Sequence, residues 1–488
     1  MSEKKYIRVE RYKWPDEIEA EKKETRRRFK SFLLCALCLA LGISIGAVAF
    51  KTVETVNNSS QSKLSTIYEI MEEEWYFGKD IENLDTYLLN NAIYGLTTNE
   101  YDIHTNYMDE ERASEYLAKL EGSVVGIGIT MTLIEDIPLI TRVFASSPAE
   151  NAGLKQGDII HKIDGMSVKG KTLDEIADLT KGKAGTKVTY EVLRDNKAMV
   201  MEMTRESVNT TAYGYRKNDV AVLDIESISE NTDQEVEYYL MKFKNENVNR
   251  IVLDLRGNTG GYVSTVINIC SLFMDKGKTV FYESDKDGNV SEYKTKKSNV
   301  YTFDKIIILV DENTASAAEV MATCLREQVN ATLVGVTTYG KGTVQVSHQF
   351  NDGSYIKYTI AEWLTAEKEK INKVGVSPDV VSALHPVLSH SIKKSSDVCK
   401  IDSVNALVKD AQLCLDFLGY DVDRMDGYYS QATLNALHAF QKDYNLTISD
   451  EIDYTLVEKL VGKINYRWIT EQETLDTQLL DAIEEASK

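Results

Sequence analysis

D-L-R-G-N-T-G-G, from Asp254 to Gly261, is the stretch that decides the fold of this 488-residue chain. It follows the apolar run Arg250 to Leu255, which predicts a buried strand ending in a glycine-rich turn. Further strand-like runs alternate with helical ones from Asn218 to His390. This alternation predicts an α/β core with a largely parallel central sheet, whose sites lie at the carboxyl ends of the strands.

Two later stretches add a nucleophile and a base. N-T-A-S-A-A-E ends at Glu319, and G-K-G-T-V-Q begins at Gly340, so Ser316 lies 25 positions before Lys341. A serine hydroxyl needs a neighbouring base, and a lysine amine serves when burial or a nearby cation lowers its pKa. A helix beginning at Ala317 would place backbone amides beside the serine as oxyanion donors. We expect the turn at Gly260 and Gly261 to add a further donor.

These residues resemble the motifs D-L-R-x-N-x-G-G, S-A-S-A-x-E and G-K-G-x-x-Q of the C-terminal processing (tail-specific) serine peptidases. The resemblance implies that Ser316 is the nucleophile, Lys341 the general base and Gln345 the residue that assists the lysine. No cysteine pair or His/Glu cluster has zinc spacing, so we expect neither a metal nor a cofactor. The departures from the family pattern are mild and occur at Thr259, Thr314 and Ala318.

A phosphate-binding loop is the rival interpretation of one stretch. Gly335 to Lys341 spells G-x-x-x-x-G-K. Such a loop continues with Ser or Thr and then with a helix. Gly342 follows here, and then a strand-like run from Thr343 to Val346, which argues against nucleotide binding.

Residues 121–206 contain the landmarks of a PDZ domain. G-I-G-I begins at Gly126, and S-P-A-E-N-A-G-L begins at Ser147. A PDZ groove adds a peptide as an extra strand and captures its terminal carboxylate with backbone amides. The residues expected to bind the peptide are Val125, Gly126, Ile127, Gly128 and Lys181.

Lys181 is expected to couple the PDZ domain to catalysis. In the family resembled, an arginine in R-G-x-x-G-T senses bound peptide, and this chain has Lys181 at that position. A lysine has the same charge as an arginine but lacks the planar guanidinium with its several donors. We therefore expect Lys181 to couple the PDZ domain to the active site more weakly than an arginine would. A solvated turn lysine is the alternative.

The N-terminal part predicts a membrane anchor. Residues 1–30 hold eleven Lys/Arg and seven Asp/Glu, and residues 31–50 carry no charge. This pattern predicts a cytoplasmic tail, a single transmembrane helix and an extracytoplasmic catalytic domain. A cleaved signal peptide is the alternative, since Ala47-Val48-Ala49 offers a cleavage site. Residues 51–120 are expected to be helical and to support dimerisation, as the family resemblance implies.

Residues 400–466 resemble the small three-helix peptidoglycan-binding module. Leucines and Phe440 recur at helical spacing and predict its core. Cys399 and Cys414 flank its first helix, and the sequence leaves open whether they form a disulfide or remain free thiols. We expect residues 467–488 to be an acidic tail with a frayed helix. The expected contacts to wall sugar or stem peptide are Tyr420, Asp426, Tyr428 and Tyr429.

Composition and motifs together define one main function and its rivals. The net charge is −20, which excludes a typical nucleic-acid binder, and 43% apolar residues are enough for several cores. The predicted protein is a membrane-anchored serine endopeptidase that cleaves the C-terminal tails of proteins under PDZ control. A non-catalytic envelope scaffold that binds tails and cell wall is the alternative, and a hydrolase of wall peptides is a third possibility.

Overall fold

The computed structural model describes residue 15 and residues 17–27, 30, 60–134, 137–195, 197–296 and 300–488. The chain divides into two compact units, Met1–Asn99 and Glu100–Lys488. In the first unit, residues 17–27 form helix α1, and two further helices follow, α2 (Ser60–Glu73) and α3 (Leu84–Thr97), with a 3₁₀ turn at Tyr76–Asp80 between them.

The predicted localisation in the cell membrane is contradicted. Among the described residues, no helix combines the length and the apolar character that a bilayer crossing needs. The transmembrane segment predicted at residues 31–50 itself lies outside the described residues.

The second unit begins with one strand and one helix, β1 (Asn106–Met108) and α4 (Glu110–Glu121). The PDZ domain follows. Its elements are β2 (Ser123–Gly126), β3 (Ile129–Ile134), β4 (Ile137–Val143), α5 (Pro148–Ala152), β5 (Ile159–Ile163), β6 (Met166–Ser167), α6 (Leu173–Thr180), β7 (Lys187–Arg194), β8 (Lys197–Thr204) and β9 (Glu206–Asn209). The sheet order is β3-β4-β5-β7-β8, with β6 on β5 and a separate β2-β9 ribbon. Strand β3 therefore lies at an edge of its sheet.

The peptidase core carries two sheets and three helices. Its elements are β10 (Ala212–Lys217), β11 (Val220–Ile225), α7 (Thr232–Asn245), β12 (Arg250–Asp254), α8 (Val263–Cys270), β13 (Thr279–Asp285), β14 (Val290–Lys294), β15 (Lys305–Val310), α9 (Ala317–Val329), β16 (Thr332–Gly335), β17 (Thr343–Gln349), β18 (Tyr355–Leu364) and β19 (Val380–Val381). The central sheet has the order β10-β11-β12-β15-β16-β19 and is parallel except for the β10-β11 pair. The predicted α/β core with a largely parallel sheet is confirmed. An antiparallel sheet, β1-β18-β13-β14 with β17 on β18, carries the lysine motif.

Both faces of the central sheet are buried, as parallel sheets require. On one face Leu223, Leu253 and Ile308 pack with α7, α8 and α9. On the other face, alternate residues of the same strands, such as Val222 and Val252, form a second hydrophobic core. Because successive side chains of a strand point to opposite faces, each strand contributes to two separate cores.

The covering element of the second face is the last helix of the chain. The C-terminal module consists of α10 (Ala406–Phe417), α11 (Gln431–Asp443) and α12 (Tyr454–Leu475), and α13 (Thr477–Ser487) follows it directly. Leu479, Ala482 and Ala486 of α13 are buried against the central sheet. The expectation of a frayed tail after residue 466 is therefore wrong, because these side chains close the hydrophobic core of the peptidase.

The three-helix module has its own core. Leu415, Leu437 and Phe440 are completely buried in it, and Leu413 and Leu434 nearly so. Cys399 and Cys414 are both buried free thiols, which answers the open question of a disulfide between them.

Candidate active site

Ser316 lies directly before helix α9 in a strained backbone conformation. Its φ is 57° and its ψ −121°, a region that residues with a Cβ rarely occupy. Such strain persists only where surrounding contacts hold it, and it is concentrated at functional sites. Here the amide of Ser316 donates to the Glu319 carboxylate at 2.7 Å.

Glu319 joins the serine segment to the lysine segment. Its side chain is completely buried. Besides the Ser316 amide, it accepts hydrogen bonds from the amides of Gly340 at 2.8 Å and Lys341 at 2.9 Å, and from the Thr338 hydroxyl. A buried carboxylate is stabilised by such a complete set of donors. Glu319 therefore fixes the backbones of the two motifs relative to each other, a role that sequence reasoning did not assign to it.

Lys341 lines the same cavity of about 510 Å³ as Ser316. Burial lowers the pKa of its amine to about 8, and the cation of Lys357 adds to this effect, whereas Glu319 and Asp102 oppose it. The Lys341 carbonyl accepts a hydrogen bond from the Trp363 indole at 2.9 Å. About a tenth of a lysine with this pKa is neutral at pH 7, far more than at the ordinary lysine pKa, and this neutral form can accept a proton.

The glycine-rich turn packs directly against the serine. Gly260 has φ 95°, and a Cβ there would lie 2.9 Å from the Ala317 nitrogen and from the Ser316 Cβ. The Gly260 amide donates to Asn258 Oδ1 at 2.8 Å, which contradicts its predicted role as an oxyanion donor. The amides of Gly261 and Ala317 have no acceptor within the part of the chain that the structure describes. These two amides thus remain as candidate donors.

Gln345 lines the cavity with Lys341, but its amide group bonds to threonines. Gln345 Nε2 donates to the hydroxyls of Thr343 at 2.8 Å and Thr359 at 3.3 Å. The structure therefore places Gln345 on the cavity wall with its amide nitrogen turned to β17 and β18. Strand β17 directly follows Gly342, so the helix that a phosphate-binding loop requires is not formed at this position.

Two cavity residues come from elements that sequence reasoning did not connect to the site. His104, next to β1, lines the cavity, and burial followed by the Lys341 cation lowers its pKa. Lys357, on β18, also lines it. Strand β1 pairs with β18, with Asn106 opposite Lys357, and this pairing brings a segment from before the PDZ domain to the active site.

A row of charged side chains lies next to the glycine-rich turn. Arg142 of the PDZ strand β4 contacts Asp224 at 2.7 Å, and Asp224 is the register partner of Asp254 in the parallel β11-β12 pair. Asp254 binds Arg256 at 2.7 Å, and Arg256 binds Asp476 through two hydrogen bonds of 2.7 and 2.9 Å. Asp476 joins helices α12 and α13. This row of charged side chains thus connects the PDZ domain, the turn and the C-terminal helix.

The predicted peptide-binding residues surround one groove of the PDZ domain. Val125, Gly126, Ile127, Gly128 and Lys181 all line a cavity of about 270 Å³. The Lys181 ammonium lies 3.0 Å from the Asp178 carboxylate, and both side chains are largely exposed. The helix end beside it is held by the buried Arg205, which donates to the carbonyls of Thr180 and Leu179.

The predicted wall contacts divide into exposed and buried residues. Tyr428 donates to Asp402 at 2.7 Å, and Arg424 lies between it and Asp426. Tyr420 is half-buried against Phe440. The prediction of Tyr429 as a surface contact is wrong, because its side chain is completely buried and its hydroxyl donates to the Asp450 carbonyl.

Comparisons with known proteins agree with this architecture. Residues 219–382 match the model of peptidase family S41, residues 125–204 match the PDZ domain and residues 404–460 match the putative peptidoglycan binding domain. The chain is 33% identical over 437 residues to the carboxy-terminal processing protease CtpA of Bacillus subtilis, covering 89% of this chain and 92% of that protein. A probable CtpA-like serine protease of Staphylococcus aureus is 31% identical over 451 residues, covering 90% of both chains. The solved photosystem II D1 C-terminal processing protease is 25% identical and covers 67% of this chain and 88% of that one, with a TM-score of 0.38.

The fold and the site define a serine peptidase of family S41. The chain belongs to the carboxy-terminal processing proteases within it, as the extent and identity of the matched relatives show. The resemblance seen in the sequence motifs is thereby confirmed.

Proposed function

We propose that this protein is a C-terminal processing endopeptidase whose catalytic pair is Ser316 and Lys341, with PDZ control of cleavage. The single observation that carries the proposal is the common cavity of these two residues, in which Lys341 has a pKa of about 8. A serine–lysine pair needs a lysine with an appreciable neutral fraction at working pH that lies within reach of the serine. Glu319 supports this arrangement because it holds the backbones of both residues.

The mechanism follows from the positions of the cavity groups. The Ser316 hydroxyl attacks a peptide carbonyl of the substrate, and the Lys341 amine takes the hydroxyl proton. The amides of Ala317 and Gly261 stabilise the negative oxygen of the tetrahedral intermediate. Lys341 then protonates the leaving amine, and water hydrolyses the acyl-enzyme. Gln345 shapes the cavity wall and helps to orient the lysine.

The PDZ groove is proposed to bind the carboxyl end of the substrate. The segment from Val125 to Gly128 leads from β2 into the edge strand β3, and its backbone amides are proposed to capture the carboxylate. Glu226, next to the strand β11 of the peptidase core, lines the same groove. A peptide in this groove therefore contacts a segment that leads to the active site.

The C-terminal module is proposed to bind peptidoglycan through the exposed cluster of Arg424, Asp426 and Tyr428, with Tyr420 as a further contact. The guanidinium of Arg424 lies 4.7 Å from the centre of the Tyr428 ring. A planar ring with polar groups beside it can bind a sugar or a stem peptide. Binding of the full chain to purified cell wall, compared with the Tyr428→Ala variant, tests this part.

Degradation of casein by the full chain and by Ser316→Ala tests the main proposal. We expect turnover by the wild type and a loss of at least about a thousandfold in the variant, since removal of the nucleophile eliminates the covalent route. Equal and negligible turnover in both, with a PDZ-docked tail peptide present, would instead support a non-catalytic scaffold. Release of amines from wall material without casein cleavage would support a wall hydrolase.

The pH dependence tests the base. Because Lys341 must be neutral to act, kcat/KM should rise with pH through about 8 and then level off. Lys357→Gln removes a neighbouring positive charge, which raises the pKa of Lys341 and moves this rise to higher pH. Lys294→Gln, a substitution of an exposed lysine on β14, is the charge-matched control and should leave the profile unchanged. A profile that Lys357→Gln does not move would contradict the assignment.

A further inference from the structure

A second cavity continues the PDZ groove towards the C-terminal module. The groove between β3 and α6 is lined by residues up to Met131 on the strand, with Ala177 and Thr180 on the helix. The next residues of the strand, Thr132 and Leu133, line a cavity of about 660 Å³ together with Leu173 at the start of α6. We call this second cavity the crevice; its other wall consists of α11 and α12 of the module and contains Tyr444, Lys459, Lys463 and Tyr466.

The crevice lies where the upstream part of a bound tail must pass. A peptide that adds to the free edge of β3 runs antiparallel to it, with its carboxyl end at Gly128. Because an extended chain advances about 3.3 Å per residue, about three peptide residues lie opposite Ile129 to Met131. The residues before them lie opposite Thr132 and Leu133, within the crevice.

The chemistry of the crevice is aromatic and basic. Tyr444 and Tyr466 are 39% and 38% exposed, and the Lys463 ammonium lies 4.6 Å from the Tyr444 ring centre. The described residues that line the crevice include two lysines, Lys459 and Lys463, and no carboxylate. In a chain of net charge −20 this is a local site of opposite sign, which attracts acidic segments and repels basic ones.

We propose that the crevice is the upstream half of the tail-binding groove and selects acidic and aromatic side chains in the substrate segment that precedes the last four residues. The proposal rests on the proposed tail recognition by the PDZ domain and extends it. The C-terminal module would then take part in substrate selection, and the PDZ domain alone would read only the end of the tail.

Peptide affinities of the full-length Ser316→Ala protein test this, because this variant binds substrates without cleaving them. The probes are a four-residue peptide with an apolar carboxyl end, an eight-residue peptide that adds Glu and Tyr upstream, and the same long peptide with Gln in place of Glu. We expect the acidic long peptide to bind about tenfold more tightly than the short one, and the Gln peptide to lose most of this gain.

Variants of the crevice assign the gain to its residues. Lys459→Glu combined with Lys463→Glu should remove about tenfold in affinity for the acidic long peptide and leave the short peptide unchanged. Tyr466→Ala should weaken both long peptides. Lys409→Glu, on the exposed side of α10, is the control for a charge reversal away from the crevice and has no expected effect.

Four results would overturn the proposal. Equal affinity for short and long peptides, or a gain that the double variant keeps, shows that the crevice does not contact the tail. Competition by a soluble muropeptide at the crevice assigns it to the cell wall. If no peptide binds at all, PDZ tail recognition fails and this inference fails with it, whereas a short peptide that binds without any gain on lengthening overturns this inference alone.

Discussion

The PDZ domain and the last helix, α13, both attach to the peptidase core, and they do so through different mixtures of polar and apolar contacts. The PDZ domain contacts β11 through Arg142, whose side chain is 30% exposed and binds Asp224 and Glu226. Helix α13 is attached through the buried residues Leu479 and Ala482, on the second face of the central sheet. The PDZ attachment has partly hydrated ion pairs beside an apolar contact of Phe144 with Tyr213, whereas the attachment of α13 is dominated by hydrophobic core.

This difference indicates which part can move. Partly hydrated ion pairs exchange with water more readily than buried apolar contacts, which are lost only when the fold opens. Both attachments include a member of the row of charged side chains next to the glycine-rich turn: Arg142 for the PDZ domain and Asp476 for α13. We expect α13 to hold the turn more firmly than the PDZ domain does.

The largest effect is expected from breaking the apolar attachment. Ala482→Glu places a carboxylate at a completely buried position and should destabilise the peptidase core by about 3 kcal/mol or more. Urea unfolding measures this. Glu484→Ala, on the exposed side of the same helix, should change stability by less than about 0.5 kcal/mol. A stable Ala482→Glu variant would mean that α13 is a dispensable appendage.

The second largest effect is expected from the buried ion pair between Arg256 and Asp476, the residue that precedes α13. Asp476→Ala leaves Asp254 as the remaining carboxylate partner of the Arg256 guanidinium and should cost about 2 kcal/mol of stability. Since Arg256 lies in the turn that carries Gly261, kcat should fall by about tenfold with little change in KM, less than removal of an oxyanion donor causes. The control is Asp481→Ala, on the same helix, which removes the acceptor of the Ser382 hydroxyl. This variant should spare kcat. Equal kcat in the two variants would separate α13 from the turn.

A smaller, pH-dependent effect is expected at the PDZ attachment. Burial and the neighbouring Asp254 raise the pKa of Asp224 to about 7, while Arg142 lowers it. Because this pKa is raised by folding, ionisation of Asp224 costs stability as pH rises through 7, and Arg142 reduces that cost. Arg142→Gln should therefore be nearly neutral at pH 5 and cost about 1–2 kcal/mol at pH 8.5, measured by urea unfolding. Arg250→Gln breaks an exposed pair with Asp219 and should show no such pH dependence; a pH-independent loss in Arg142→Gln would refute the coupling.

The smallest effect concerns Lys181. Its exposed ion pair with Asp178 adds little stability. Lys181→Ala should lower cleavage of a PDZ-docked substrate by about two- to threefold while tail affinity stays nearly constant, because a lysine couples more weakly than an arginine fork. Cleavage and binding assays on the same peptide measure both quantities. An unchanged cleavage rate would leave Lys181 as a solvated turn residue.

The sequence predicted those features that depend on neighbours in the chain. The alternation of strands and helices predicted the parallel sheet, which is confirmed, and the motifs gave the family and the candidate pair Ser316 and Lys341. Sequence reasoning failed at Tyr429 and at residues after 466, because a tyrosine or an acidic helix has the same pattern whether it lies in solvent or packs on another domain. Glu319 stood within a quoted motif, three residues after Ser316, at the spacing of a helix capping residue; this signal could have assigned it.

The sequence by itself determined the family and singled out Ser316 and Lys341 as the candidate catalytic pair, since both depend on short motifs with constrained spacing. Only the tertiary structure decided that Lys357 lies near Lys341, that Gly261 rather than Gly260 keeps a free amide, and that Asp476 binds the turn 220 residues away. The physical reason is that pKa values, hydrogen-bond saturation and burial depend on which distant side chains meet after folding. No local pattern in the chain specifies those encounters.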